Sequence, residues 1–234
     1  ARSDVIRVEG QFETGFVEHA YIEPEAGWAR RVGDRVEITA STQAPYLDRD
    51  DTAAILGLPP ESVRIIPSAC GGGFGSKLDL SVQPYVALAA WVTGRPAAMV
   101  YTRNESIQST TKRHPARMRS AMAATRDGKL LAMDFEGDFN TGAYASWGPT
   151  VANRVPVHAS GPYVVPHFRA QSRAVLTHSV PAGAFRGFGV PQTVIAQEQM
   201  LDMLAEKLGL DALEFRIRNA LADDTPTVTG QVMG

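Results

Sequence analysis

Four glycines in five positions, Gly71, Gly72, Gly73 and Gly75, lie inside the run Cys70 to Lys77, and no other stretch restricts the chain so strongly. Glycine loses more backbone freedom on folding than any other residue. A cluster this dense costs stability unless the chain must turn sharply or approach a ligand closely. The flanks frame it: Val63 to Ile66 predicts a short apolar strand leading in, and a helix is expected afterwards, with Pro84 in its first turn, Tyr85 to Val92 as its apolar body and Gly94 as its stop. A strand, a glycine loop and a helix suggest phosphate binding, but the two common forms fail. A Walker A loop ends in Gly-Lys-Ser/Thr, whereas Ser76 here precedes Lys77. A dinucleotide fingerprint needs a third glycine where Ser76 stands. A turn without a ligand stays open as the alternative.

Periodicity elsewhere describes a mixed, α+β chain. Trp28 to Val32 and Arg35 to Ala40 flank Gly33-Asp34 as one hairpin, and Met118 to Thr125 and Leu130 to Phe139, joined across Asp127-Gly128, form a clearer one. Tyr46 to Leu56 reads as a helix stopped by Gly57, with the charges Asp48 to Asp51 as its solvated face. Phe168 to Thr177 predicts a strand. Pro191 opens the longest helix, which places Val194, Gln197, Leu201, Leu204 and Leu208 on one side and ends at Gly209; Asp211 caps a last helix reaching about Asn219. Between the second hairpin and the strand Phe168 to Thr177 the chain reads as a loop rich in Gly, Pro and aromatics.

Bulk properties narrow the function classes. Hydrophobic residues at 44% and charged residues at 21% are globular usage. A net charge of −2 with interspersed signs offers no field for nucleic acid or anionic lipid. The single cysteine, Cys70, rules out an internal disulfide and any CxxC metal motif, and is expected to be a small buried residue. No apolar run approaches the roughly 18 to 20 residues of a membrane helix.

A second loop carries chemistry. Pro181-Ala182-Gly183-Ala184-Phe185-Arg186-Gly187-Phe188-Gly189-Val190-Pro191 sets one arginine among aromatics and glycines just before a helix start. Unsatisfied N–H groups there suit an anion or an oxo group. The alternative makes Phe185 and Phe188 core residues and Arg186 a surface ion-pair partner.

Taken together, VEHAYIEPEAG (Val17 to Gly27), CGGGFGSK (Cys70 to Lys77), KRHPA (Lys112 to Ala116), GAYAS (Gly142 to Ser146), AFRGFGVPQ (Ala184 to Gln192) and RIRNAL (Arg216 to Leu221) resemble the molybdenum-binding subunit of the xanthine dehydrogenase and aldehyde oxidase family over nearly the whole chain. The resemblance implies an α+β molybdopterin-binding domain, of which residues 1 to 234 are the first portion. It implies hydroxylation of an aldehyde or aromatic N-heterocycle with oxygen from water, at a molybdenum held by a pterin dithiolene. The cofactor would supply the sulfur ligands and the protein position and electrostatics. Whether the pterin carries a cytosine dinucleotide is left open. Electrons would pass to 2Fe-2S and FAD groups on an iron-sulfur and a flavin subunit, or on further parts of the molybdenum subunit, in the cytoplasm or, less expectedly, the periplasm. A cofactor-free scaffold of the same fold is the rival.

By the same resemblance, Gly72, Gly73, Phe74, Gly75, Ala184, Phe185 and Arg186 hold the cofactor, with the backbone of Phe74 and Arg186 near the metal. Arg113 and Phe188 meet the substrate, the first by charge-assisted hydrogen bonds, the second by stacking. Purine oxidases carry a glutamate after the glycine-loop lysine and a glutamine near the metal, where this chain has Leu78 and Val17. Xanthine is therefore disfavoured, and Arg113 argues for a polar or carboxylated ring. The family's general base, a glutamate in a late glycine-rich segment, has no counterpart here, so no catalytic residue is assigned and residues 1 to 234 by themselves are expected to be inactive. Glu198, Glu206 and Glu214 fall on predicted helices and are expected to face solvent. His19 and Glu23 could be drawn as metal ligands four apart, but Tyr21, Ile22 and Pro24 suggest extended chain and a scaffold role. His158, His167 and His178 are expected at the surface.

Overall fold

The computed structural model describes residues 4–232, and the chain divides into two compact units. The first takes the segment up to Phe16, His114–His178 and the chain from Gly187 on; the second takes Val17–Arg113 and Ser179–Arg186. In chain order, β1 (Val5–Thr14) belongs to the first unit. The second then supplies β2 (Ala26–Val32), β3 (Arg35–Ala40), α1 (Pro45–Leu56), β4 (Val63–Pro67), α2 (Gln83–Thr93), β5 (Ala97–Val100) and α3 (Arg103–Ser109). The chain returns to the first unit for β6 (Ala116–Thr125), β7 (Leu130–Gly142), α4 (Gly148–His158), β8 (His167–Leu176), α5 (Val190–Leu208) and α6 (Ala212–Asn219).

The first unit is a four-stranded sheet, β1-β6-β7-β8, antiparallel except for the parallel β7/β8 pair. Alternation along the strands sends Val8, Met118, Met122, Met133, Phe135 and Phe139 to one face. There they share a core with Val151 and Val155 of α4 and with Ala196, Met200, Leu201 and Leu204 of α5. Burying each large apolar side chain is worth about 1.5–3 kcal/mol, which fixes the register of the sheet. The other face carries ion pairs such as Arg173–Asp138 at 2.6 Å and Arg169–Glu136 at 3.2 Å, exposed and individually weak. Asn219 closes the unit: its Oδ1 accepts from Leu130 N at 2.7 Å and its Nδ2 donates to Gly128 O at 2.9 Å, tying α6 to the hairpin turn.

The second unit is the sheet β4-β3-β2-β5, with β2/β3 and β2/β5 antiparallel and β3/β4 parallel. Ala29, Val36, Ile38 and Val63 from the sheet meet Ala53 of α1 and Val86, Ala87 and Ala90 of α2. Both helices end in a left-handed glycine, Gly57 and Gly94, as their sequences predict.

Several expectations need correction. The loop expected after the second hairpin contains α4: Pro149 occupies the first turn, where no N–H is needed, and the Ala152 carbonyl that Pro156 cannot serve accepts from Ser172 Oγ at 2.5 Å. Val194 faces outward on α5, whose inner side is instead Gln192, Thr193, Ala196, Gln197, Met200, Leu201, Leu204 and Ala205. Asp48 is buried rather than solvated, and Cys70 is exposed rather than buried. Glu198 is half-buried and bound to Arg216 at 2.8 Å and Tyr163 at 3.1 Å, joining α5 to α6, whereas Glu206 and Glu214 are exposed.

Candidate functional site

Four segments of the second unit converge around the glycine loop. Arg113 N donates to Val17 O at 3.0 Å, Lys112 bridges Ala182, and Gly183 N donates to Lys112 O at 3.0 Å. A separate backbone bond ties this segment to the glycine loop, where Arg186 N donates to Phe74 O at 2.9 Å. The glycine run is therefore seated directly against Ala184 to Arg186. Gly75 shows why glycine is needed: its φ is +110°, and a Cβ there would stand 2.6 Å from the Ala184 carbonyl oxygen.

Charged side chains hold the loop from beneath. Glu23 Oε2 accepts from Lys77 Nζ at 2.7 Å, Ser41 Oγ at 3.0 Å and Gly71 N at 2.5 Å. Burial pushes the Glu23 carboxyl upward, but these donors outweigh it and hold it below its ordinary range. Gln43 Oε1 accepts from Gly75 N at 2.9 Å, and Gln43 N donates to Lys77 O at 2.9 Å. Lys77 is thus a buried structural cation, not a phosphate ligand. Beside it, Tyr21 donates its hydroxyl to Glu25, and burial and then that bond push the phenol pKa up.

Above the loop, His19 Nε2 lies 2.7 Å from Ala184 O and its ring stacks on Phe185, with centroids 3.9 Å apart. Since a carbonyl only accepts, Nε2 carries the proton; burial lowers the His19 pKa against the raising effect of that bond, keeping the ring neutral. Arg113 Cζ lies 3.8 Å from the centroid of Phe185, and burial lowers its pKa to about 10. Phe188 sits in the first unit with φ +45°, edge-on to Trp147 at 5.9 Å and with Arg154 5.8 Å away.

Whether these residues suit a pterin cofactor can be tested on the chain itself. Among the described residues, the N–H groups of Gly72, Gly73, Phe74, Ala184 and Phe185 make no hydrogen bond, although Gly73 and Ala184 are buried. Buried donors left open are rare unless a ligand or water serves them. The buried Nδ1 of His19 likewise lacks a partner, and the exposed guanidinium of Arg186 has no ion pair. Open donors, a bare acceptor and an uncompensated cation suit a flat, hydrogen-bonding, phosphate-bearing group. No three His, Cys, Asp or Glu side chains are gathered as metal ligands among the described residues.

Sequence reasoning brought the two glycine loops and Arg113 forward. It passed over Gln43, weighed His19 and Glu23 as metal ligands and left both as scaffold, met Lys77 only as the end of the glycine loop, and gave Phe185 no part beyond the cofactor loop or the core. No helix among the described residues is long and apolar enough to cross a membrane.

Comparison with known proteins supports the same class. The family model of the molybdopterin cofactor-binding domain matches residues 1–220, and the chain belongs to that family. It is 44% identical over 229 residues to the nicotinate dehydrogenase large molybdopterin subunit of Eubacterium barkeri, covering 97% of this chain and 54% of that one. It is 34% identical over 228 residues to the xanthine dehydrogenase molybdenum-binding subunit of Escherichia coli, covering 96% and 30%. The solved aldehyde oxidoreductase of Desulfovibrio gigas superposes with a TM-score of 0.94 at 36% identity, covering 98% of this chain and 26% of that one. The chain thus spans about half or less of the length of these relatives.

Proposed function

We propose that this chain is the first portion of the cofactor-binding domain of a molybdenum hydroxylase acting on a polar or carboxylated aromatic N-heterocycle, with aldehydes as a secondary class. The observation that carries this reading is the seating of Phe74 and Gly75 against Ala184 to Arg186, which gathers open backbone donors from two loops beside a half-buried Arg113 that has no carboxylate partner among the described residues. The relative named for nicotinate supports a carboxylated ring. The open donors argue against a cofactor-free scaffold.

In this reading R–H and water give R–OH, two protons and two electrons. The electrons leave to iron-sulfur and flavin groups on partner subunits, and the cytosine dinucleotide form of the pterin fits the extra phosphate that Arg186 could pair. When bound, the molybdenum pterin supplies the redox chemistry. The chain's own residues bind and orient. Gly72 to Phe74 and Ala184 to Phe185 offer N–H donors that need no reorganisation, which is how a pre-formed polar site stabilises developing charge. In the second unit Arg113 offers charge-assisted hydrogen bonds to a ring carboxylate or carbonyl; in the first, Phe188 carries an aromatic face of the kind that stacks on flat rings. Val17 and Leu78 replace polar groups of purine oxidases with apolar ones, so purine oxygens would go unpaired.

The test is Arg113→Ala in the complete enzyme, assayed by dye-linked oxidation of pyridine-3-carboxylate and of acetaldehyde with molybdenum content measured alongside. The ring acid should lose about 10²-fold or more in kcat/KM, the cost of removing a charged bidentate partner, and the aldehyde little. Equal losses would make Arg113 structural.

A further inference from the structure

We propose that His19 is a positioning residue of the cofactor loops: by donating from Nε2 to the Ala184 carbonyl it fixes the Ala184–Phe185 peptide plane and aims the open Phe185 N–H at the cofactor. The proposal rests on the reading that these loops hold a molybdenum pterin, and not on which residue meets the substrate. A trans peptide points its carbonyl and its N–H to opposite sides, so whatever holds the one directs the other. Three of the open donors belong to peptides fastened at the carbonyl. Glu23 N donates to Gly71 O at 3.3 Å behind the Gly72 N–H, and Ser76 N to Gly73 O at 3.0 Å behind the Phe74 N–H. His19 Nε2 donates to Ala184 O at 2.7 Å behind the Phe185 N–H. The first two fasteners are backbone groups, so His19 is the one side chain among the three.

The surroundings hold the imidazole where this task needs it. His19 is 6% exposed and Ala184 is fully buried, so water does not compete for the bond. The His19 ring also stacks on Phe185, with centroids 3.9 Å apart and planes 20° apart, so it grips the residue whose N–H it aims. The next residue, Ala20, has φ +56°, a left-handed conformation that any side chain disfavours. Such strain persists where the structure around it leaves no alternative. Here both neighbours of Ala20 are buried and anchored, His19 on Ala184 and Tyr21 on Glu25. The turn at Ala20 thereby delivers the ring to the Ala184 carbonyl. An N–H held this way needs no reorganisation when an electron-rich group is brought to it.

The test uses the complete enzyme and reads two quantities other than turnover: the rate of molybdenum loss during dialysis in mild denaturant, and the Mo(V) electron paramagnetic resonance signal of the fraction still loaded. His19→Gln keeps a donor at the reach of Nε2 and loses the ring, whereas His19→Phe keeps the ring and loses the donor. Molybdenum loss should quicken about tenfold or more in His19→Phe, the scale of one hydrogen bond to a charged group, and stay within about threefold of the parent in His19→Gln. The Mo(V) signal should shift in His19→Phe and match the parent in His19→Gln, a contrast that a general loosening of the fold would not give. Equal losses in the two variants, a parent-like rate in His19→Phe, or a quickened loss with an unshifted signal would each overturn the role of His19 and leave the cofactor reading standing. A parent enzyme that holds no molybdenum pterin would overturn both. Should His19→Phe fail to assemble, His19→Gln decides: a tenfold quicker loss or a shifted signal would overturn the proposal, and a parent-like rate and signal would sustain it.

Discussion

The turns Gly73-Phe74-Gly75 and Gly187-Phe188-Gly189 share a tripeptide and a backbone habit, with the phenylalanine at positive φ in both, 52° and 45°, yet they are held in opposite ways. The first is pinned by polar groups: Gln43 on Gly75, Glu23 on Gly71, and Lys77 beneath. The second is packed: a Cβ on Gly189 would stand 2.8 Å from Val155, and Phe188 leans on Trp147. The units around them differ in the same sense. Twenty buried hydrophobic residues form the cluster of the first unit and nine that of the second, while Glu25, Asp48, Lys77 and Lys112, the buried acidic and basic residues other than histidine among those described, all lie in the second. A polar scaffold fixes where N–H groups point, at the cost of sensitivity to charge. An apolar one presents a ring and tolerates more.

The harshest way to break the polar turn is Gly75→Ala. A methyl group at φ +110° and 2.6 Å from a backbone oxygen can be relieved only by moving the Ala184 segment. The left-handed conformation and the overlap together should cost about 2–5 kcal/mol, with molybdenum content falling at the same time. Denaturant unfolding and metal analysis of the complete enzyme check this, and full metal content would show that the two loops need not touch.

Next in size is Lys77→Met. The ammonium is 3% exposed and its partner Glu23 28% exposed, so the variant strands a carboxylate that is only partly hydrated. A loss of about 2–3 kcal/mol is expected, below the full penalty for a buried pair because water still reaches Glu23. Adding Glu23→Gln should restore part of it, since an amide oxygen can still accept from Gly71 N; no recovery would mean that packing of the lysine stem dominates.

A third prediction uses pH to separate the units. Burial, reinforced by Asp51 and Asp79 against the bonds from Thr42 and Gln83, raises the Asp48 pKa to about 6. The folded state then binds this proton more tightly than the unfolded chain. Its contribution is fully present below about pH 4 and is lost as pH rises through 6. Asp48→Asn should therefore stabilise the protein by about 1–3 kcal/mol at pH 8 and leave it unchanged at pH 4. Chemical denaturation at the two pH values tests it, and an equal effect at both would place Asp48 in contact with water.

These contrasts also mark what could be read from the residues alone. Helix ends were legible at Gly57, Gly94, Gly209 and Asp211 because a cap is a local signal. The helix α4 was hidden by two prolines, one harmless in the first turn and one offset by Ser172 Oγ on the Ala152 carbonyl it leaves open, and α3 by its seven residues, although Thr102 and Glu105 do form a capping box. In the site, the glycine loops announce themselves by composition. Their supports do not, because Glu23 and Lys77 are 54 residues apart and His19 and Ala184 are 165 apart. Nothing in a local pattern links such pairs, and Asp48 looked solvated for the same reason, its partner Gln83 lying 35 residues on.

The mildest test falls on the packed turn. Phe188→Leu keeps an apolar side chain beside Trp147 but removes an edge-to-face ring pair, worth about 0.5–1.5 kcal/mol beyond area. Leucine must also take φ +45°, as phenylalanine already does, so backbone strain changes little between them. Stability should therefore fall by only about 1 kcal/mol, far less than at Gly75. If the ring also serves as a stacking face for flat substrates, the KM for pyridine-3-carboxylate should rise several-fold while that for acetaldehyde, which has no aromatic face, stays level. Steady-state kinetics on the two substrates, paired with unfolding of the same variant, separates the two contributions. A stability loss with KM unchanged for the ring acid would assign Phe188 to the packing of its own unit, and would leave substrate selection to the polar one.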